Sequence, residues 1–160
     1  MVFGKEAPAE QTYRIFTDGS AIGNPGPGGW GVVVIHGKKR WEMSGANPWT
    51  TISEMELVAT VQALRSVEGR ARIELDSDSE YLIYGMRAFV SRWQRQGWRN
   101  RRRTQLQHRE LWTELIEPNT SHPIRWKWIR SHNGHCDQTR ADELTYEAAR
   151  SLFVQKKVAV

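Results

Sequence analysis

The sequence predicts a mixed α/β sheet flanked by helices, and three observations predict it. Three apolar runs, residues 12–18, 30–36 and 40–46, follow one another with short links. Consecutive strands joined this way form an antiparallel meander. A helical pattern from Thr51 or Ser53 to Val67 then leads into a fourth apolar run, Ala71 to Ser77. Strand, helix, strand favours a crossover that lays the fourth strand parallel in the same sheet.

The first strand ends on Thr17-Asp18-Gly19-Ser20, and the glycine- and proline-rich stretch up to Gly29 reads as the loop to the second. Gly37-Lys38-Lys39 links the second strand to the third. In the first helix Met55, Leu57, Val58, Val61, Leu64 and Val67 recur near helical spacing and give it one buried face. Two capping boxes compete at its start, Thr51 with Glu54 and Ser53 with Glu56. In the first case Glu56 is free for other work; in the second it only holds the helix end. After Gly69 and the fourth strand, Asp76-Ser77-Asp78-Ser79 makes a strand-to-helix turn with cap residues. A short helix, Glu80 to Tyr84, follows, with Gly85 as its stop or bend.

Residues 87–116 read as a helix to Gln96, a basic loop from Gly97 to Arg103 and a helix from Thr104 to Ile116, closed by Glu117-Pro118-Asn119. A fifth strand spans His122 to Arg130, with Ile124, Trp126 and Trp128 on one side. After the loop Ser131-His132-Asn133-Gly134-His135, a last helix runs from Cys136 or Asp137 to Phe153. Repeats and linkers are absent, so one domain is expected over 12–154, with loose tails at 1–11 and 155–160.

The 160 residues carry a formal net charge of +5 and eight tryptophans. Basic charge interleaved with aromatics points to a polyanion, nucleic acid first. No apolar run approaches the roughly 18 residues a membrane span needs, and no basic-then-apolar secretory signal opens the chain. One cysteine, Cys136, excludes an internal disulfide and fits the reducing cytoplasm. One Cys and scattered His residues lack zinc-ligand spacing.

Four acids share a placement. Asp18 ends the first strand, Asp78 lies just past the fourth, Glu56 is in the first turns of the first helix, and Asp142 lies inside the last. With strands one and four parallel, Asp18 and Asp78 emerge at one sheet edge, where open sheets carry their sites. Taken singly, each acid reads as a solvated charge or a helix cap. Gathered acids repel, and a hard divalent cation supplies the reason to gather them.

The text around these acids is more specific. Thr17-Asp18-Gly19-Ser20, Met55-Glu56-Leu57, Asp76-Ser77-Asp78-Ser79, Ser131-His132-Asn133-Gly134-His135 and Ala141-Asp142-Glu143-Leu144, in that order, resemble the type 1 ribonuclease H family, over roughly residues 12–150. The resemblance is to bacterial members with a basic protrusion. It implies a five-stranded sheet with strands four and five parallel to the first. It implies an endonuclease that cuts the RNA strand of an RNA–DNA hybrid and leaves 5′-phosphate and 3′-hydroxyl ends. Asp18, Glu56, Asp78 and Asp142 would hold two Mg²⁺ ions, with Mn²⁺ as a substitute. His132 would aid proton transfer or product release. A monomer without an obligate protein partner is expected.

The same resemblance sets the Gly/Pro loop, with Asn24, against the hybrid's minor groove, and makes Thr51, Ser53, Ser77 and Glu80 candidate contacts. It casts Phe89 to Arg109 as a protrusion gripping the DNA strand. Arg99, Arg101, Arg102 and Arg103 would neutralise phosphates without reading sequence. Trp93 reads either as a core residue or as a flat platform for sugars and bases. Trp98, in a polar run, is expected to be exposed, and Trp126 and Trp128 to be core. Three departures stand out. Ile52 and Ser53 replace a common Asn-Asn, Glu80 stands where Gln is common, and Ser131 precedes His132 where Gly is usual. They predict re-shaped or weaker binding with the chemistry kept. Two other readings keep the fold: a non-cleaving hybrid- or double-strand-binding module, and a nuclease or strand-transfer domain with another substrate. The complete set of acids argues against the first, and the long protrusion against the second.

Overall fold

A computed structural model describes residues 12–131 and 134–158, with side chains to residue 153. Five strands form one sheet in the order β3-β2-β1-β4-β5. β1 (Thr12–Ala21), β2 (Gly26–His36) and β3 (Lys39–Thr50) are the expected meander. β4 (Arg72–Ser77) runs parallel to β1, and β5 (Ile124–Trp128) runs parallel to β4. Between them lie α1 (Ile52–Arg65), α2 (Glu80–Tyr84), a π-helical turn (Gly85–Phe89), α3 (Val90–Arg95) and α4 (Arg109–Ser121); α5 (Cys136–Val158) comes last. Among the described residues, no helix is long and apolar enough to cross a membrane.

Both faces of the central strands are buried. Tyr13, Ile15, Val32 and Val34 pack with Leu57 of α1 and with Trp112 and Leu115 of α4. Phe16 and Val33 face the other way, onto Ala141 and Leu144 of α5. A strand covered on both sides reads as an unbroken apolar run, which is why Val32-Val33-Val34 lacks alternation.

Several boundaries differ from the sequence reading. The Gly/Pro stretch is mostly strand, and only residues 22–25 turn, with a cis bond between Asn24 and Pro25. The glycines serve packing. A Cβ on Gly31 would stand 2.3 Å from the Ala141 carbonyl oxygen, and one on Gly29 2.3 Å from that of Thr145, so α5 lies backbone-close on β2. Gly85 does not stop a helix, and the chain stays helical from Glu80 to Arg95. A Cβ there would meet the Trp112 ring at 2.2 Å.

The segment after Gly97 is a narrow hairpin. Arg99 bridges Gln105, and Leu106 N–H donates to the Trp98 carbonyl at 2.8 Å. This pairing takes Thr104 to Gln107 out of the predicted helix, so α4 starts at Arg109. It continues through Pro118 to Ser121, its last turn closed by His122 N–H donating to the Pro118 carbonyl at 2.9 Å, although a proline there removes one donor and crowds the preceding turn. β5 starts late because the His122 backbone N–H still closes α4, while its Nδ1 accepts from Ala71 N–H at 3.2 Å. α5 passes Phe153 to Val158 and takes in part of the expected C-terminal tail. Residues 1–11 and 159–160, the expected N-terminal tail among them, lie outside the described residues.

Candidate metal centre and nucleic-acid surface

The β1–β4 pairing ends at Phe16 opposite Asp76. Side chains alternate along strands, so two residues further on Asp18 and Asp78 leave the same face side by side. Asp18 also sits opposite Gly31 on β2. The missing side chain there lets α5 settle close, which brings Asp142 near enough to Asp18 to act on its carboxyl.

Glu56 arrives from the opposite side of the sheet. Thr51 caps α1, its hydroxyl accepting from Glu54 N–H at 3.2 Å, and the Thr50 hydroxyl donates to Glu54 Oε2 at 2.6 Å. The competing box at Ser53 is not used, and Glu56 is free of capping. A Cβ on Gly19 would lie 2.4 Å from Glu56 N, so α1 rests directly on β1 and presents Glu56 to Asp18. The Ser79 hydroxyl donates to Glu56 Oε2 at 2.5 Å.

Asp18, Glu56 and Asp78 each offer an oxygen within 4.8 Å of the other two. Asp142 joins the group through Asp18. Burial, then the charge of Asp78, then the neighbouring Asp142 carboxyl push the Asp18 carboxyl well above its usual range, against a 2.9 Å bond from Gly19 N–H. Burial and the Asp78 charge raise Glu56 to about 7, against the Ser79 bond. Groups this crowded resist losing their protons. A cation among them offsets both the burial and the repulsion, and an all-oxygen set suits a hard one such as Mg²⁺.

His132 lies outside the described residues. Its neighbour Ser131 is exposed, and its hydroxyl donates to Asp78 Oδ2 at 2.7 Å. Asn24 is exposed, and its Oδ1 accepts from Ile52 N–H at 3.0 Å, tying the 22–25 turn to the start of α1. Thr51 and Ser53 are half-buried beside it, and Glu80 is exposed at the start of α2. Ser77 is 1% exposed with its hydroxyl accepting from Ser79 N–H at 3.1 Å, so it holds the turn from inside the fold and its side chain is out of a substrate's reach.

The aromatic expectations divide. Trp98 is buried, 7% exposed, because the hairpin folds it back onto the core; it is not a surface platform. Trp93 is half-buried, stacked on exposed Phe89 at 5.7 Å and edge-on to Trp112 at 5.1 Å. Trp126 is core as expected. Trp128 is not. It ends the edge strand at 38% exposure and donates its indole N–H to the Asp78 carbonyl at 3.1 Å. Arg99, Arg101, Arg102 and Arg103 are all exposed, and the first, second and fourth line an open cleft with Gln96 and Asn100. Arg99 also donates to the Arg103 carbonyl at 2.9 Å, bracing the hairpin. Sequence reasoning missed Ser79, Ser131 and Trp128 as supports of the acids. Only Ser79, at a helix cap, carried a local signal.

The comparisons with known proteins agree with this fold. The RNase H family model matches residues 10–150. Ribonuclease H of Erythrobacter litoralis (strain HTCC2594) is 43% identical over 136 residues, which is 85% of this chain and 94% of that protein. Among solved structures, LC9-RNase H1, a type 1 RNase H with the type 2 active-site motif, has a TM-score of 0.80 at 28% identity, over 92% of this chain and 75% of that one. LC11-RNase H1 in complex with RNA/DNA hybrid has a TM-score of 0.66 at 24% identity, over 88% and 99% of the two chains, a likeness of fold. With the family model spanning nearly the whole sheet and its helices, and a relative this similar along almost its full length, the chain belongs to the type 1 ribonuclease H family.

Proposed function

We propose that this chain hydrolyses the RNA strand of RNA–DNA hybrids with two divalent cations and leaves 5′-phosphate and 3′-hydroxyl ends. The meeting of Asp18, Glu56 and Asp78 within 4.8 Å carries the reading. Family membership supports the choice of substrate. Asp18, Glu56, Asp78 and Asp142 would hold Mg²⁺, or Mn²⁺ in its place. Bound there, such ions activate water and stabilise the leaving oxygen of a phosphodiester.

The chain's own groups do the rest. Burial of Asp18 removes competing water from the centre of the group. Ser79 and Ser131 each fix one oxygen of a neighbouring carboxylate. His132 follows Ser131 in sequence, and we assign it proton transfer or product release. Asn24, Thr51, Ser53 and Glu80 flank the acids and would meet the RNA strand, where the 2′-hydroxyl distinguishes RNA from DNA. Arg99, Arg101, Arg102 and Arg103, with the Phe89–Trp93 stack, would take the DNA strand's backbone. All these residues come from one chain, which we propose acts as a monomer.

Incubating end-labelled hybrid, RNA duplex and DNA duplex with the protein, with and without Mg²⁺, tests the reading. Cleavage of the hybrid's RNA strand alone, and only with the ion, is expected. Binding without cleavage, or equal cleavage of a DNA duplex, would overturn it.

A further inference from the structure

The segment that leaves β5 grips Asp78 at its backbone and its side chain. β4 and β5 stop pairing at Ser77 opposite Trp128. Past that point, Ile129 N–H donates to the Ser77 carbonyl at 3.0 Å. Trp128 Nε1 donates to the Asp78 carbonyl at 3.1 Å, and the Ser131 hydroxyl donates to Asp78 Oδ2 at 2.7 Å. The backbone bonds hold the peptide in place. Among the described residues, the serine bond alone acts on the carboxylate.

We propose that Ser131 is a positioning residue whose hydroxyl sets the direction of the Asp78 carboxylate and so raises the site's affinity for a divalent cation. The proposal rests on the metal-dependent reading above. A short side chain such as Asp rotates about two bonds, and an ion demands its oxygen in one place. A hydroxyl bonded to one oxygen limits that rotation and leaves the other oxygen turned toward the ion. Ser131 is exposed, so in the ion-free chain water replaces its bond at little cost. Its effect therefore falls on the ion more than on the fold. Partners of this kind, one step back from the ligands, commonly change metal affinity by about 10- to 100-fold.

Calorimetric titration of Mn²⁺, and separately Mg²⁺, into the full chain without nucleic acid tests this. Ser131→Ala is expected to weaken uptake about tenfold while moving the ion-free melting temperature by no more than about 3 °C. Ser131→Thr keeps the hydroxyl and is expected to restore affinity to within about threefold of the parent. Equal affinity in parent and Ser131→Ala would overturn the proposal while leaving the metal reading intact, and so would a Thr variant as weak as Ala. No ion uptake by the parent chain would overturn the metal reading and this proposal together.

Discussion

The Ser79 hydroxyl stands between Glu56 and the start of α2, donating to Glu56 Oε2 at 2.5 Å while accepting from Leu82 N–H at 3.1 Å. One atom thus caps a helix and steers a carboxylate from another. Ser79→Ala removes both bonds. Losing an N-cap serine typically costs about 1 kcal/mol, and a buried bond to a charged acceptor adds about as much again. The melting temperature is expected to fall by roughly 4–8 °C in a chain of this size. Thermal unfolding followed by circular dichroism measures it, and a fall under about 1 °C would show that neither bond matters to the fold.

Asp18 is the acid that links the cluster to α5. It lies within 4.8 Å of Glu56 and Asp78, and Asp142 of α5 stands close enough to help raise its pKa. Asp18→Asn keeps the shape and removes the charge the cation needs. Cleavage is expected to disappear while hybrid binding stays within about threefold, since phosphate contacts lie elsewhere. A cleavage assay run beside a filter-binding titration separates the two. Full cleavage by the variant would remove Asp18 from the metal site.

The raised Glu56 pKa makes the ion-free fold sensitive to pH. Below about 4.5 Glu56 is protonated in both the folded and the unfolded chain. Between 4.5 and about 7 the unfolded chain has released that proton and the folded one has kept it. Stability from this group is therefore full at acid pH and is lost as pH rises to about 7. Glu56→Gln does not titrate. Urea unfolding in chelator is expected to show the variant gaining on the parent across this window. Mg²⁺ added at pH 8 should restore the parent's stability, because the ion favours the charged form.

The legible parts of this molecule are those with local signatures. Apolar runs and helical spacing located α1, β4 and α2 to within a residue or two and fixed the start of β1, and cap chemistry set Glu56 near the start of α1. Longer-range causes stayed hidden. Gly29 read as part of a loop because nothing nearby says that α5 will press on it. Trp98 sits in a polar run, yet the hairpin turns it inward. Trp128 alternates correctly, but it lies at the end of an edge strand. Ser79 and Ser131 meet their partners across 23 and 53 residues, a distance over which sequence carries no period. The site's acids were readable; the groups that aim them were not.

Gly85 is expected to resist substitution although it lies in a helical run, where alanine is normally better by about 1 kcal/mol. The added methyl would stand 2.2 Å from the Trp112 ring. That ring is fully buried, and its Nε1 donates to the Tyr81 hydroxyl at 3.0 Å, so it has little room to yield. Overpacking of this kind costs about 1–3 kcal/mol. A lower urea midpoint for Gly85→Ala is the expected result, and a higher one would mean that Trp112 moves aside.

The basic hairpin offers the most direct test of how substrate is held. Arg101, Arg102 and Arg103 are exposed, and none of their side chains donates a hydrogen bond to a described residue. Arg99 is set apart because its guanidinium braces the Arg103 carbonyl, and changing it would disturb the hairpin. Replacing the other three with Gln should weaken hybrid binding in inactive Asp18→Asn protein. It should also flatten the dependence of log K on log salt by roughly one for each phosphate no longer neutralised, up to about three. Trp98→Ala makes the contrast. With that ring in the core, its removal is expected to lower the melting temperature and leave the salt slope unchanged. An unchanged slope in the arginine variant would show that those side chains face away from the nucleic acid, and a changed slope in Trp98→Ala would show that the hairpin's shape, more than its charge, sets the grip.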